Sequence, residues 1–303
     1  MKTKCAILAM LTSLMCTTLY AQGPEPSTFL PGTHWIDPVK TEPAGTHYKL
    51  FSTPSRGANT KASYLIYLPA NYDSSSQQRY PVLYWLHGGG GSQREGGWMV
   101  KQLDAQMRAG KIPPFIIVLV QGLADVRYIN SKDGSRPVED VIIKDLIPHI
   151  DSTYRTISRR EGRAIEGMSM GGYGALRLGF EYPDLFGTVS ALAPSVIQDM
   201  DAEPEVVREP FGNDRAFWDA VSPWNMAKLN ASAIAGHTRI RILVGDKDER
   251  LLGPVTNYHE LLLSLNITHQ FSIIPGATHR YDQLFENAPF NALAFWQTVW
   301  PAK

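Results

Sequence analysis

Cysteine is almost missing from this 303-residue chain: there are two, Cys5 and Cys16, both close to the N-terminus. Beyond Cys16 nothing can form a disulfide, serve as a thiolate nucleophile or hold a metal through sulfur. A surplus of either charge is missing too. Lys and Arg together number 29, as do Asp and Glu. Nucleic acids and anionic membranes are bound by strongly basic surfaces, so this balance points to neither as a partner. Nor does the body of the chain contain the run of about twenty apolar residues that a bilayer span requires. A chain of this length can bury a core large enough to stand without disulfides.

The stretch "MKTKCAILAMLTSLMCTTLYAQG" begins with Lys2 and Lys4, continues with an apolar run over 6–15, and closes on Leu19-Tyr20-Ala21. That order predicts a secretory signal peptide over 1–21, cleaved after Ala21, and hence a secreted or periplasmic product. Cys16 would suit a lipoprotein signal, but Met15 before it is bulkier than the small residue expected there. Residues 22–45, rich in Pro, Gly and Thr, read as an irregular lead-in, and 46–303 as one domain.

From His47 onward short strand-like runs alternate with helical stretches. "HYKLFST" and "ASYLIYLP" come first. "PVLYWLHG" (81–88), "PFIIVLVQG" (114–122), "GRAIEGMS" (162–169), "GTVSALAP" (187–194), "TRIRILVGD" (238–246) and "HQFSIIPG" (269–276) follow. Continuous apolar runs of this length suit strands covered on both faces, as in a parallel sheet. Helices are expected over 138–150, 170–181, 255–265 and 291–300. The alternation predicts an α/β fold with a mostly parallel central sheet and helices on both faces.

Gly167-Met168-Ser169-Met170-Gly171 matches G-x-S-x-G, a pattern that is weak alone. Its setting is more specific: "RAIEG" reads as a strand and "GGYGALRLGFEYP" as a helix, the frame of a nucleophile elbow. In so tight a turn, a side chain at either glycine would collide with its neighbours. The helix N-terminus also brings partial positive charge to the place where an oxyanion would form. Ser169 is therefore the candidate nucleophile, and it needs a base. His279, in "PGATHRYDQLF", follows the last strand-like run and precedes a helix, where a sheet delivers residues to its carboxyl edge. His87 lies in a glycine loop, and His149 and His259 in helices. His34, His47, His237 and His269 fall in lead-in, strand or loop.

An acid between Ser169 and His279 in sequence completes the expected order. "RILVGDKDERLLG" offers Asp246 and Asp248, one to orient the imidazole and the other to form a turn. Asp201, Asp214 and Asp219, in a long insertion, are poorer candidates. Oxyanion donors are expected from the Met170 amide and from the loop "LHGGGGS".

With these elements the chain resembles the esterase-D-like α/β-hydrolases, among them the feruloyl and acetyl xylan esterases of carbohydrate esterase family 1. The resemblance runs over about residues 46–300, through "YLIYLPANYD", "YPVLYWLHGGGGSQREGGW", "AIEGMSMGGYGAL", "VSPWNMA", "ILVGDKDE" and "GATHRYDQL". It implies an α/β-hydrolase fold, Asp248 as the acid through the family's G-x-x-D pattern, and Gly89 as the second oxyanion donor. It also implies that neither a metal nor an organic cofactor is used. The implied activity is a serine esterase acting on a small-molecule or oligosaccharide ester, with feruloyl or acetyl groups on xylan as the expected substrates. An acyltransferase, a siderophore esterase, an S-formylglutathione hydrolase-like thioesterase and a non-catalytic carbohydrate-binding relative are the alternatives. Trp98, Trp224 and Tyr281, near the motif loops, could stack on an aromatic acyl group or a sugar, although the core is the commoner place for an aromatic residue.

Overall fold

Eight strands form a single sheet: β1 (Thr46–Ser52), β2 (Lys61–Tyr67), β3 (Val82–Leu86), β4 (Ile116–Val120), β5 (Arg163–Met168), β6 (Thr188–Leu192), β7 (Arg239–Gly245) and β8 (Gln270–Ile274). Each occupies one of the eight strand-like runs. The structure is a computed structural model that describes residues 34–43, 45–74, 77–286 and 292–300. The expected signal peptide lies outside the described residues. Spatial order is β1-β2-β4-β3-β5-β6-β7-β8. β1, β2 and β4 are antiparallel neighbours, and from β4 through β8 every pairing is parallel.

The continuous apolar runs have the reason expected of them: both faces are covered. Leu65, Tyr67, Leu83, Trp85, Ile117 and Leu119 pack on one face, with Met99, Val100 and Leu103 of the helix Gly97–Arg108 and Trp296 and Val299 of the helix Ala292–Val299. Their sequence neighbours, among them Tyr64, Ile66, Val82, Tyr84 and Val118, point the other way and meet the helix Met170–Glu181 and the helical stretch that runs from Val138 to Thr153. Alternation across the pleat thus fills two apolar layers, each large buried side chain contributing about 1.5–3 kcal/mol. Among the described residues no helix is long and apolar enough to cross a membrane.

The helix Met170–Glu181 is buried along nearly its whole length. It holds four glycines, a composition that costs about 1 kcal/mol each relative to alanine. The return is proximity. A Cβ on Gly171 would stand 2.1 Å from the Leu86 carbonyl oxygen, so the first turn of the helix lies against the end of β3. The chain leaves β3 for β4 on one side and returns to β5 on the other. The carboxyl ends of β3 and β5 therefore flank the crevice where such sheets bind ligands.

The helix Gly97–Arg108 and the short helices between Glu205 and Ile234 were not foreseen. They are too short, or bury too few residues, to show a clear 3.6-residue period. Their start signals were nevertheless present: Asp214 and Ser222 cap their helices by accepting from the Phe217 and Asn225 amides.

Gly171→Ala should destabilise the fold by about 3 kcal/mol, because the new methyl meets backbone rather than a mobile side chain. Gly253→Ala, in a helix where nothing lies within 4 Å of the new atom, should be neutral or stabilise by about 0.5–1 kcal/mol. Urea denaturation midpoints of the two variants check the contrast.

Candidate active site

Ser169 stands between β5 and the helix Met170–Glu181 with φ 58° and ψ −117°. A residue with a side chain adopts that conformation at a cost of about 1–3 kcal/mol and keeps it only where its surroundings enforce it. Here they do. A Cβ on Gly167 would lie 2.4 Å from the Gly171 carbonyl group, so only glycines allow the turn to close. The Ser169 amide donates to the Leu192 carbonyl at 2.9 Å, and its own carbonyl accepts from the Tyr173 and Ser195 amides at 3.0 Å. The strained turn sets the serine at the carboxyl edge of the sheet, lining a cavity of about 410 Å³.

His279 lines the same cavity, carried on the loop after β8. Its Nδ1 lies 2.6 Å from Oδ2 of Asp248, whose side chain is buried and whose other oxygen accepts the Leu251 amide at 3.2 Å. An imidazole donating from Nδ1 to a carboxylate presents the lone pair of Nε2, the tautomer a general base requires. Asp246 does something else. Its Oδ1 accepts the Gly276 amide at 2.7 Å and ties the turn after β7 to the turn after β8. Of the two acids that the residues left open, Asp248 is the one that meets His279.

The loop after β3 adjoins the serine. A Cβ on Gly89 would lie 4.0 Å from the Met170 Cβ, so the two expected oxyanion donors are neighbours. Within the loop the Gly90 amide donates to Ala124 at 2.9 Å and the Gly91 amide to Gly88 at 3.2 Å. No acceptor for the Gly89 or Met170 amide occurs among the described residues. Met170 is also the first residue of its helix, where backbone amides have no partner within the helix. Two open donors beside a serine, at the positive end of a helix, suit a developing oxyanion.

The other histidines have different work. His87 is buried between the Gly88 and Gly122 carbonyls at 2.8 and 3.0 Å, and burial pushes its pKa down. His149 meets the Tyr64 hydroxyl at 3.0 Å, and His259 meets His269 at 2.7 Å. Of the three aromatic residues singled out from the sequence, Trp98 and Tyr281 line the cavity. Trp224 does not: its indole donates to the Val196 carbonyl and its ring packs edge-on against Tyr258 in the core. Trp85 takes its place on the cavity wall. It alternates inward along β3, and the sequence marked it only as a strand residue.

Two buried charge clusters that adjoin the site loops escaped the sequence reading. Glu166 of β5, three residues before the serine, accepts from Arg241 at 2.7 Å, from the Ser190 hydroxyl at 2.8 Å and from the Tyr281 hydroxyl at 3.0 Å. Glu203 accepts from Arg127 at 2.6 Å and from Arg250 at 2.7 Å, while Arg127 also donates to the Ser195 carbonyl. The first cluster had a signal, in Glu166 and Arg241 inside the otherwise apolar centres of "RAIEGMS" and "TRIRILVGD". A charge in a strand covered on both faces must be paired.

Residues 55–298 match the profile of a family described as putative esterases. Over 155 residues, 48% of this chain, the sequence is 34% identical to the endo-1,4-beta-xylanase/feruloyl esterase of Xylanibacter ruminicola, 20% of whose length is covered. The chain spans a fifth to about a third of the length of the first curated relatives it matches, the coverage of each being 20% or 34%. A ferulic acid esterase superposes with a TM-score of 0.71 at 22% identity, over 84% of this chain and 98% of that one. An S-formylglutathione hydrolase of Agrobacterium tumefaciens gives 0.63 at 20% identity, over 84% and 94%. These likenesses establish the α/β-hydrolase fold.

Asp248→Asn should lower kcat on an activated aryl ester by about 10³ to 10⁴, because the amide favours the wrong imidazole tautomer. Asp246→Asn keeps an oxygen for the Gly276 amide and should stay near wild type. Steady-state kinetics of the pair measure the difference.

Proposed function

The chain belongs to the putative esterase family, and from that premise we propose that it is a serine carboxylic-ester hydrolase with Ser169 as nucleophile, His279 as base and Asp248 as the orienting acid. The observation that carries the reading is a serine held at φ 58° on the wall of a cavity it shares with His279, an imidazole already paired with a buried carboxylate. Residues 46–303 are the catalytic domain in this reading, and the signal peptide would export it.

His279 Nε2 takes the proton of the Ser169 hydroxyl as Oγ adds to the ester carbonyl carbon. The carbonyl π electrons move onto its oxygen, where the Gly89 and Met170 amides hold the charge. Each such donor is worth about 2.7–4 kcal/mol in the transition state. Collapse breaks the bond to the alcohol oxygen, which leaves with the proton from His279. Water then repeats the sequence on the acyl-serine: His279 takes its proton, oxygen adds to the carbonyl carbon, and Ser169 departs with that proton. Asp248 stays ionised throughout and stabilises the imidazolium.

The cavity supports an aromatic acyl group. Its volume of about 410 Å³ lies within the ~300–1,000 Å³ of small-molecule sites. Trp85, Trp98 and Tyr281 line it, with ring centroids of Trp98 and Tyr281 5.7 Å apart at 80°. Apolar ring faces bury a planar acyl group far more fully than an acetyl. The name of the Xylanibacter ruminicola relative agrees, so feruloyl esters of plant-type polysaccharide are the proposed substrates.

Ser169→Ala should reduce kcat by about 10⁴ to 10⁶ while the protein remains folded. Product analysis on feruloylated and acetylated xylan fragments and on S-formylglutathione measures the choice of substrate. Release of ferulate as the fastest reaction is the expected result. A folded Ser169→Ala protein with wild-type turnover would sink the serine mechanism, and preference for the thioester would move the protein to the other reading.

A further inference from the structure

His279 sits on a loop that is held from two sides. On the side of β8, the Gly276 amide donates to Asp246 and the Lys247 amide donates to the Ala277 carbonyl at 2.9 Å. On the far side, two residues beyond His279, the Tyr281 hydroxyl donates to Glu166 Oε1 at 3.0 Å. Glu166 is itself immobilised. It stands opposite Ser190 on β6, and Ser190 stands opposite Arg241 on β7, so the three form a row across adjacent strands. Arg241 reaches over Ser190 to the Glu166 carboxylate, and its guanidinium lies 4.3 Å from the Phe295 ring centroid. The side chains of Glu166 and Arg241 are 0% and 3% exposed.

The Tyr281 ring is packed as closely as its hydroxyl is bonded. It meets Trp85 and Trp98 edge-on and stacks on Phe285 at 5.9 Å. Burial and the adjacent carboxylate push the phenol pKa well above its ordinary value, so it remains a donor. The other end of this connection is the nucleophile. Glu166 lies on β5 three residues before Ser169, so one carboxylate joins the strand that carries the serine to the loop that carries the histidine.

Building on the serine-esterase reading, we propose that Tyr281 is a positioning residue: its hydrogen bond to the buried Glu166–Arg241 pair fixes the register of the His279 loop against the Ser169 strand. Tyr281 takes no proton in the reaction. It sets the distance over which His279 takes one, a quantity to which rate is steep and binding is not. Tyr281→Phe removes the oxygen and keeps the ring, so the cavity wall and the fold survive.

Two readouts on Tyr281→Phe test the assignment. Turnover of an aryl-acyl and an acetyl ester of the same alcohol should show kcat lower by between about 10- and 100-fold for both, with KM within about twofold of wild type. Hydrogen–deuterium exchange should be faster in residues 276–284 and unchanged in the strands. Wild-type kcat or wild-type exchange in that segment, either one, overturns the proposal. A rise in KM for the aryl-acyl ester alone, with kcat kept, overturns it as well, since that would make Tyr281 a wall and nothing more. If the wild-type protein hydrolyses no ester, the esterase reading fails separately, and exchange alone decides whether the hydroxyl anchors the loop.

Discussion

The carbonyl of Leu86 at the end of β3 and the first turn of the helix Met170–Glu181 are so close that no side chain fits between them. Much of the site depends on this contact. Because Gly171 must lie there and Gly167 must lie against Gly171, the chain has no relaxed path from β5 into the helix. Ser169 absorbs the mismatch in its backbone. The same contact brings Gly89 beside Met170, next to the serine. One packing constraint at the switch between β3 and β5 thus sets a half-buried serine on the cavity wall, beside a helix N-terminus and the neighbouring glycine loop. Strain in the turn is balanced by the burial of the helix behind it.

Buried charges hold the remaining parts. Placing an ion pair inside a sheet costs desolvation that its mutual attraction only partly returns, so stability alone is a poor reason for one. The Glu166 and Glu203 clusters run between site loops. Glu166 joins β5 to Tyr281, the first residue of the helix Tyr281–Glu286 that follows the His279 loop. Glu203 joins Arg250, two residues beyond Asp248, to Arg127, and Arg127 reaches the Ser195 carbonyl. The Ser195 amide in turn donates to the Ser169 carbonyl. The segments that carry Ser169, Asp248 and His279 are therefore connected through buried charges as well as through the bond between His279 and Asp248. Connections of this kind let a site built on loops keep the geometry of one built on strands.

Much of this arrangement could be read from the residues. The strands were legible because a sheet covered on both faces demands unbroken apolar runs, and turns break this chain between them. The serine, its glycines and His279 were legible because a strand-turn-helix with no room for side chains has a narrow sequence signature. The choice of Asp248 over Asp246 came from the resemblance, through its G-x-x-D pattern, and not from the physical chemistry of the local residues. Either can follow β7, and only the path of the β8 loop decides which one faces the imidazole. Which of Trp98, Trp224 and Tyr281 would be core and which would face the cavity was open for a similar reason, since nearness to a motif in sequence says nothing about which side of a helix faces the cavity. The Glu166 and Glu203 clusters depend on pairings between residues 24 to 115 positions apart, which no local pattern encodes.

The central claim is that Ser169 forms a covalent bond to the acyl group through a base supplied by His279. An aryl phosphonate ester tests it most directly, because attack at phosphorus forms a stable Oγ–P bond as the phenolate departs. Intact-mass spectrometry after treatment should show one phosphonyl group per chain, and peptide mapping should locate it on Ser169. Labelling of a different serine, or an unlabelled protein that still hydrolyses esters, would contradict the account.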